Sequence, residues 1–191
     1  MANSFPVLSF DTAEAWEAWL GGHHDAAPGV WLKLAKKGTG IPSLTRSESV
    51  EGAICYGWID GQSKSVDGTY WLQRFTPRRS RSIWSKVNRE KALGLIAAGR
   101  MQPPGFREVE RAQADGRWDA AYDPPSGSAV PEELQVELDR NPAAATFFAG
   151  LDSRNRYAIL HRIQTSKKPE RRASRIRKFV EMLNEGRTLH P

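Results

Sequence analysis

Two alternating segments, WIDGQSKSV and TYWLQRF, meet at Asp67-Gly68 and limit what this chain can fold into. Asp-Gly between alternating apolar runs is the strongest short hairpin signal, because both residues tolerate positive φ in a two-residue type I′ turn. Gly68 is therefore expected at positive φ. Alternation places Trp71 and Phe75 on one face of the second strand and Tyr70, Leu72 and Arg74 on the other. Pro77 ends that strand. A lone hairpin is marginal in water and needs further strands or helices against one face. Upstream, GVWLKLAKKGTG sets Val30, Leu32 and Leu34 against Trp31 and Lys33, which reads as a half-buried strand.

Helical patterns surround these strands. FDTAEAWEAWLGG has Asp11 as expected N-cap, Glu14 completing a capping box and Gly21 as a stop; Trp16, Trp19 and Leu20 share a face. LTRSESVEGAICYG opens with a Thr45/Glu48 capping box, carries Val50, Ala53 and Ile54 as its apolar stripe, and stops at Gly57. SKVNREKALGLIAAG points Leu93 and Ile96 inward and ends at Gly99. PPGFREVERAQADG points Phe106, Val109 and Ala112 inward and ends at Gly116.

Residues 122–131, YDPPSGSAVP, have no periodicity and read as a linker. Everything beyond reads helical. Pro131 and Pro142 suit first-turn positions, and Asp152 or Ser153 caps DSRNRYAILHRIQ. The last helix aligns Ala173, Ile176, Val180 and Leu183, with Arg171, Arg175 and Lys178 opposite. The expected class is α+β: a small antiparallel sheet with an Asp-Gly hairpin packed on helices over residues 1–121, a linker at 122–130, and an all-helical module over 131–191.

The formal net charge of +6 is concentrated in two islands. Residues 74–100 hold eight basic and one acidic side chain, and residues 162–178 hold the same numbers. Such islands on a mildly acidic body point to anionic partners. The single cysteine, Cys55, rules out an internal disulfide. No apolar run reaches the roughly 18 residues of a membrane helix, so no membrane insertion is expected. The opening MANSFPVLSFDTAEAWEAWL has no basic n-region and no apolar core before Asp11 and Glu14, so no export signal is read and a cytoplasmic location is expected.

Metal chemistry has no support in the spacing. The four histidines are His23, His24, His161 and His190, and none lies at ligand distance from Cys55 or another His on one face. No phosphate-binding glycine loop or serine nucleophile elbow occurs. No catalytic residue and no cofactor are assigned. Cys55 sits at a helix C-terminus, which disfavours a thiolate, and its neighbours Ala53, Ile54 and Tyr56 indicate packing. Asp60 reads as a turn cap or a partner for Arg74, with a general base as the other reading. The arginines carry more. RFTPRRSRSIWSK interleaves Arg74, Arg78, Arg79, Arg81 and Lys86 with Phe75 and Trp84, and Ser85 opens a helix whose free N–H groups attract anions. The other reading of this stretch is a charged edge that protects a hairpin from aggregation. The C-terminal set on 162–178 reads as a solvated helix face.

The segments VWLKLAKKGTG, EGAICYGWIDGQ, WLQRFTPRRSRSIWSKVN, AAGRM, ADGRWDAAYD, VPEEL and RYAILHRIQTSKKPERRASRIRKFVEML, running from Val30 to Leu183, are similar in order and wording to the bacterial YdeI/OmpD-associated, or bacteriocin-protection-type, family. The resemblance implies a small helical C-terminal module. Through the family's name it also implies ties to resistance against antibacterial peptides and to a porin. It supplies no active-site residues. The functional expectation is a non-enzymatic binding protein for an anionic ligand, nucleic acid or another polyanion, with Arg74, Arg78, Arg79, Arg81, Trp84, Ser85 and Lys86 as the site. The competing expectation is a small enzyme or small-molecule pocket built from Trp58, Asp60, Trp71 and Arg74.

Overall fold

The computed structural model describes residues 5–191; Met1–Ser4, part of the stretch read as lacking an export signal, lie outside the described residues. The chain divides into two compact units. One comprises the residues up to Trp84 together with Asn88–Ala121; the other comprises Ser85–Val87 and Tyr122–Pro191.

The first unit is built from β1 (Val7–Leu8), α1 (Ala13–His23), β2 (Val30–Ala35), α2 (Arg46–Cys55), β3 (Trp58–Ser65), β4 (Tyr70–Pro77), α3 (Lys86–Ala97, whose first residues belong to the second unit) and α4 (Pro103–Ala114). The α+β class holds, but the sheet is mixed. Its order is β1-β2-β4-β3, with β1 parallel to β2 and the other pairs antiparallel. The two-residue strand β1 carries no alternation long enough to read from sequence.

The hairpin differs from the two-residue turn. Gly68 is not among the positive-φ glycines. The loop spans residues 66–69, with the amides of Val66 and Asp67 both donating to the Tyr70 carbonyl. The Asp67 carboxylate accepts from the Thr69 and Tyr70 amides at 2.7 and 2.8 Å. The aspartate side chain thus does the turning that left-handed backbone would otherwise do. A register shift between Asp60 and Ser63 makes a bulge, and the Gln73 amide fills it by donating to the Gly61 carbonyl at 2.9 Å.

Tryptophans dominate this core. Trp16 stacks on Trp19 at 5.5 Å, Trp58 meets both edge-on at 6.4 and 6.0 Å, and Phe75 closes the group 5.8 Å from Trp16. Each ring buries about 150–250 Å², a gross transfer gain of about 4–6 kcal/mol per ring. The indole N–H groups of the two buried rings donate to the carbonyls of Ser49 and His24.

The helix ends depart in part from their sequence signals. Thr12, not Asp11, caps α1 by accepting from the Ala15 amide, and the helix runs through Gly21 to His23. The packing of Trp16, Trp19 and Leu20 outweighs the roughly 1 kcal/mol that each helical glycine costs. The Thr45/Glu48 capping box of α2 is present, and Gly57 ends that helix at φ +73°. In α3 the buried residues are Ala92 and Leu95, while Leu93 is exposed. In α4 they are Gly105, Val109 and Ala112, while Phe106 is exposed. Gly105 explains the rotation. A Cβ there would sit 2.4 Å from both the Cys55 carbonyl and the Met101 sulfur, so only glycine lets α4 approach α2 this closely. Val109 and Ala112 follow on the same face, and Phe106 is turned out.

The second unit holds a 3-10 turn (Pro125–Gly127) and α5 (Glu132–Asp139), α6 (Pro142–Ala149), α7 (Ser153–Gln164) and α8 (Pro169–Asn184). Its core joins Leu134, Leu138, Phe148, Ile159, Ile163, Ile176, Phe179, Val180 and Leu183. Ala173, expected in the stripe, is exposed, and Phe179 takes the inward place. Asp152 is the N-cap of α7. Among the described residues, no helix is long and apolar enough to cross a membrane.

Candidate functional site

The segment expected to present a basic surface is largely folded inward. Arg78 is buried, its guanidinium 3.6 Å from the centre of the Trp84 ring, and it donates to the Ile83 carbonyl. Trp84 is 1% exposed and packs edge-on against Trp118 at 5.0 Å. Both were expected at the surface; both serve the core. A second arginine that sequence reading missed, Arg117, is also buried. It lies on the Asp115 carboxylate at 2.8 Å and donates to the Ser82 carbonyl at 2.7 Å. The two guanidiniums pin the loop 77–84 from either side. Glu108 answers this cationic interior. Burial pushes its carboxyl up, and Arg111, Arg78, Arg117 and Arg107 pull against that shift. Arg79 and Arg81 are solvent-exposed, and Ser85 is half-buried. Lys86 is exposed and pairs with Asp123 at 2.5 Å.

The residues of the competing pocket do not converge. Trp58 lies in the tryptophan core. Asp60 turns to Arg46 and Asn88, each 3.5 Å away. Trp71 leans on the core and lines a cleft of about 480 Å³ with Lys36, Lys37, Thr39, Ser43 and Arg46. Arg74 is on the opposite sheet face from Trp71, because strand neighbours of unlike parity point apart. Cys55 is buried, and burial with the nearby Glu17 carboxylate pushes its thiol up to about 11. Such a thiol stays protonated and acts as packing.

The strand register brings together a set the sequence had not joined. Directly opposed residues on antiparallel strands share a face. The pairs Trp31–Arg74, Lys33–Leu72, Ala35–Tyr70 and Lys64–Leu72 therefore place Trp31, Lys33, Lys64, Tyr70, Leu72 and Arg74 on one side of the sheet. The core lies on the other side, with Val30, Leu32, Leu34 and Phe75. On the outer side the Lys33 ammonium sits 3.9 Å above the Tyr70 ring, and the Lys64 ammonium 4.5 Å above the Trp31 ring. Arg74 lies along the bulge, where its Nε comes 3.1 Å from the Cβ position of Gly61. That Nε is buried and has no hydrogen-bond partner among the described residues. The signal for this face was legible as alternation in VWLK and TYWLQR; the pairing of the two strands was not.

A small α+β unit with a cationic, aromatic sheet face, followed by a four-helix unit, defines the class of protein. Residues 8–108 match a family described as Domain of unknown function (DUF8412), and the chain belongs to it. Residues 128–186 match the family Bacteriocin-protection, YdeI or OmpD-Associated, so the resemblance read from Val30 to Leu183 resolves into two adjoining family segments. No curated protein and no solved structure matches the chain.

Proposed function

We propose that the first unit binds single-stranded nucleic acid on the outer face of its sheet. The observation that carries this reading is the pairing of two aromatic rings with two lysines, plus Arg74, on a face outside the core. Trp31 and Tyr70 lie four residues apart in register, about 13 Å along the strands. Each lysine–ring contact is worth about 0.5–1 kcal/mol at an exposed site. A base stacked on the same ring contributes about 1–3 kcal/mol. A base therefore displaces the ammonium from the ring, and the freed lysine reaches the adjoining phosphate. Arg74 adds positive charge to the same face. The separation of Trp58, Asp60, Trp71 and Arg74 favours the sheet face over a small-molecule pocket at those residues.

The test is fluorescence anisotropy with a labelled oligo-deoxythymidylate at low salt. Trp31→Ala and Tyr70→Ala should each weaken binding by about tenfold, the equivalent of one stacked base. Arg79→Ala should change it little. Absence of binding by the unaltered protein at low salt, or unchanged affinity in both ring variants, refutes the reading.

A further inference from the structure

The second unit contains a cavity of about 420 Å³ along one face of α7, lined by Arg154, Tyr157, Ala158, His161, Arg162 and His190. The spacing is helical: Arg154, Ala158 and Arg162 recur every four residues, and Tyr157 precedes His161 by one turn. The far wall is placed by a buried side chain. Asn155, 3% exposed, accepts from the amides of Leu189 and His190 and donates to the His190 carbonyl. This amide staples the tail against α7 and so brings His190 into the lining. No carboxylate lines the cavity among the described residues, and the neighbouring ones are occupied elsewhere. Asp152 caps α7 and feels the charge of Arg154 only as a minor influence, and Asp123 holds Lys86 and Gln164. Arg154 and Arg162 make no ion pair among the described residues, and neither imidazole ring has a hydrogen-bond partner there. Tyr157 is fixed by donating to the Asp123 carbonyl at 3.3 Å, and His161 packs edge-on against Tyr122 at 4.6 Å. The lining thus combines an ordered phenol ring, a methyl group, Pro125 and Ser153 with guanidinium and imidazole groups.

We infer that this cavity binds an organic phosphate bearing a planar ring, of the nucleoside monophosphate class. Two guanidiniums with two imidazoles suit a dianion rather than a single carboxylate. The volume falls in the range of small-molecule sites, about 300–1,000 Å³, and far exceeds what an inorganic phosphate fills. The apolar and aromatic part of the lining accounts for the remainder by taking the ring. This site lies within the second unit and stands independently of the sheet face.

Calorimetry on the full chain with adenosine monophosphate, adenosine and inorganic phosphate decides it. The monophosphate should bind at least about tenfold tighter than either fragment. Arg154→Glu, at an exposed position, should weaken it by about tenfold or more while leaving the melting curve unchanged, and Arg162→Met should do likewise. Trp31→Ala should not alter it. Affinity should rise as pH falls and His161 gains a proton beside the phosphate. His161 faces Arg162, Tyr157 and Tyr122, and burial with Arg162 lowers its pKa, so its proton arrives below the ordinary imidazole range. No binding at roughly millimolar ligand, equal affinity for inorganic phosphate, or loss in Trp31→Ala each overturns the inference.

Discussion

The two basic islands have the same composition, eight basic side chains and one acidic, and the fold uses them in opposite ways. In 74–100 most of the charge is consumed inside the structure. Arg78 stacks in the core, Arg89 pairs with Glu90, Lys91 with Glu51, and Arg100 with Glu17 and Glu51. Lys86 holds Asp123. Lys86 and Arg100 are exposed but paired, whereas Arg79 and Arg81 are exposed with no ion pair among the described residues. In 162–178 the exposed residues are Lys167, Lys168, Arg171, Arg177 and Lys178. Arg172 pairs with Glu133, and Arg175 donates to the Arg162 carbonyl and the Ser166 hydroxyl. Charge counted along a sequence is therefore not charge presented at a surface. What decides is which carboxylates the fold brings opposite, and the acids meeting the first island come from as far away as Glu17.

This contrast is most sharply tested by deleting one arginine from each island. Arg78→Ala removes a desolvated stack on Trp84, a bond to the Ile83 carbonyl and the volume between them. The expected loss is on the order of 3 kcal/mol. Arg171→Ala should change stability by less than about 0.5 kcal/mol. All seven tryptophans lie in the first unit, so indole fluorescence in a urea titration follows that unit alone. Far-UV dichroism follows the helical second unit as well. A loss below about 1 kcal/mol for Arg78→Ala would mean that its burial is incidental.

Next in size is the effect on non-specific binding. Duplex DNA is too stiff to stack on Trp31 and Tyr70, so its salt dependence counts exposed cations. Replacing Arg171, Arg177 and Lys178 together by Ala should flatten the log–log slope by about 2–3 units. Replacing Arg79 and Arg81 should remove at most about 2. Equal changes would show that the second island is neutralised after all.

How far the sequence disclosed this arrangement depended on the range of the interaction. The capping box at Thr45 and Glu48, the alternation of β2 and the stripe of α8 are local, so they could be read directly. Leu93 and Phe106 were read inward because their helical period is correct. The phase of α4, however, is set by a contact between backbones at Gly105 and Cys55, and that of α3 by the burial of Ala92 and Leu95, neither of which periodicity reports. The Asp-Gly turn failed because Asp67 has two ways to make a turn, and the carboxylate route leaves Gly68 in ordinary backbone. Arg78 and Trp84 were placed at a surface because they are six residues apart in a polar stretch. Their stack, and the closure from Arg117, are tertiary. Of the outer sheet face, Arg74 was singled out. Trp31, Lys33, Lys64 and Tyr70 join it only through strand register.

The smallest expected effect concerns the ion pairs that quench the first island. Glu51 lies 2.7 Å from Lys91 and 3.6 Å from Arg100. The Lys91 hydrogen bond lowers its pKa against an opposing push from burial. A carboxylate whose folded pKa lies below its unfolded value stabilises the fold above the unfolded pKa. That contribution disappears as pH falls through the folded one. The pair is partly exposed, so its worth at neutral pH is at most about 1 kcal/mol. Lys91→Met should therefore lower the stability of the first unit slightly at pH 7. The difference should shrink toward pH 3, as Glu51 takes up its proton. The stability of the variant should consequently fall less steeply with acid. Arg171→Met, with no carboxylate to hold, should leave both values unchanged. Urea midpoints from indole fluorescence for Lys91→Met and from dichroism for Arg171→Met, each at the two pH values, measure this directly. An equal loss from Lys91→Met at both pH values would assign Lys91 a packing role and leave Glu51 to Arg100.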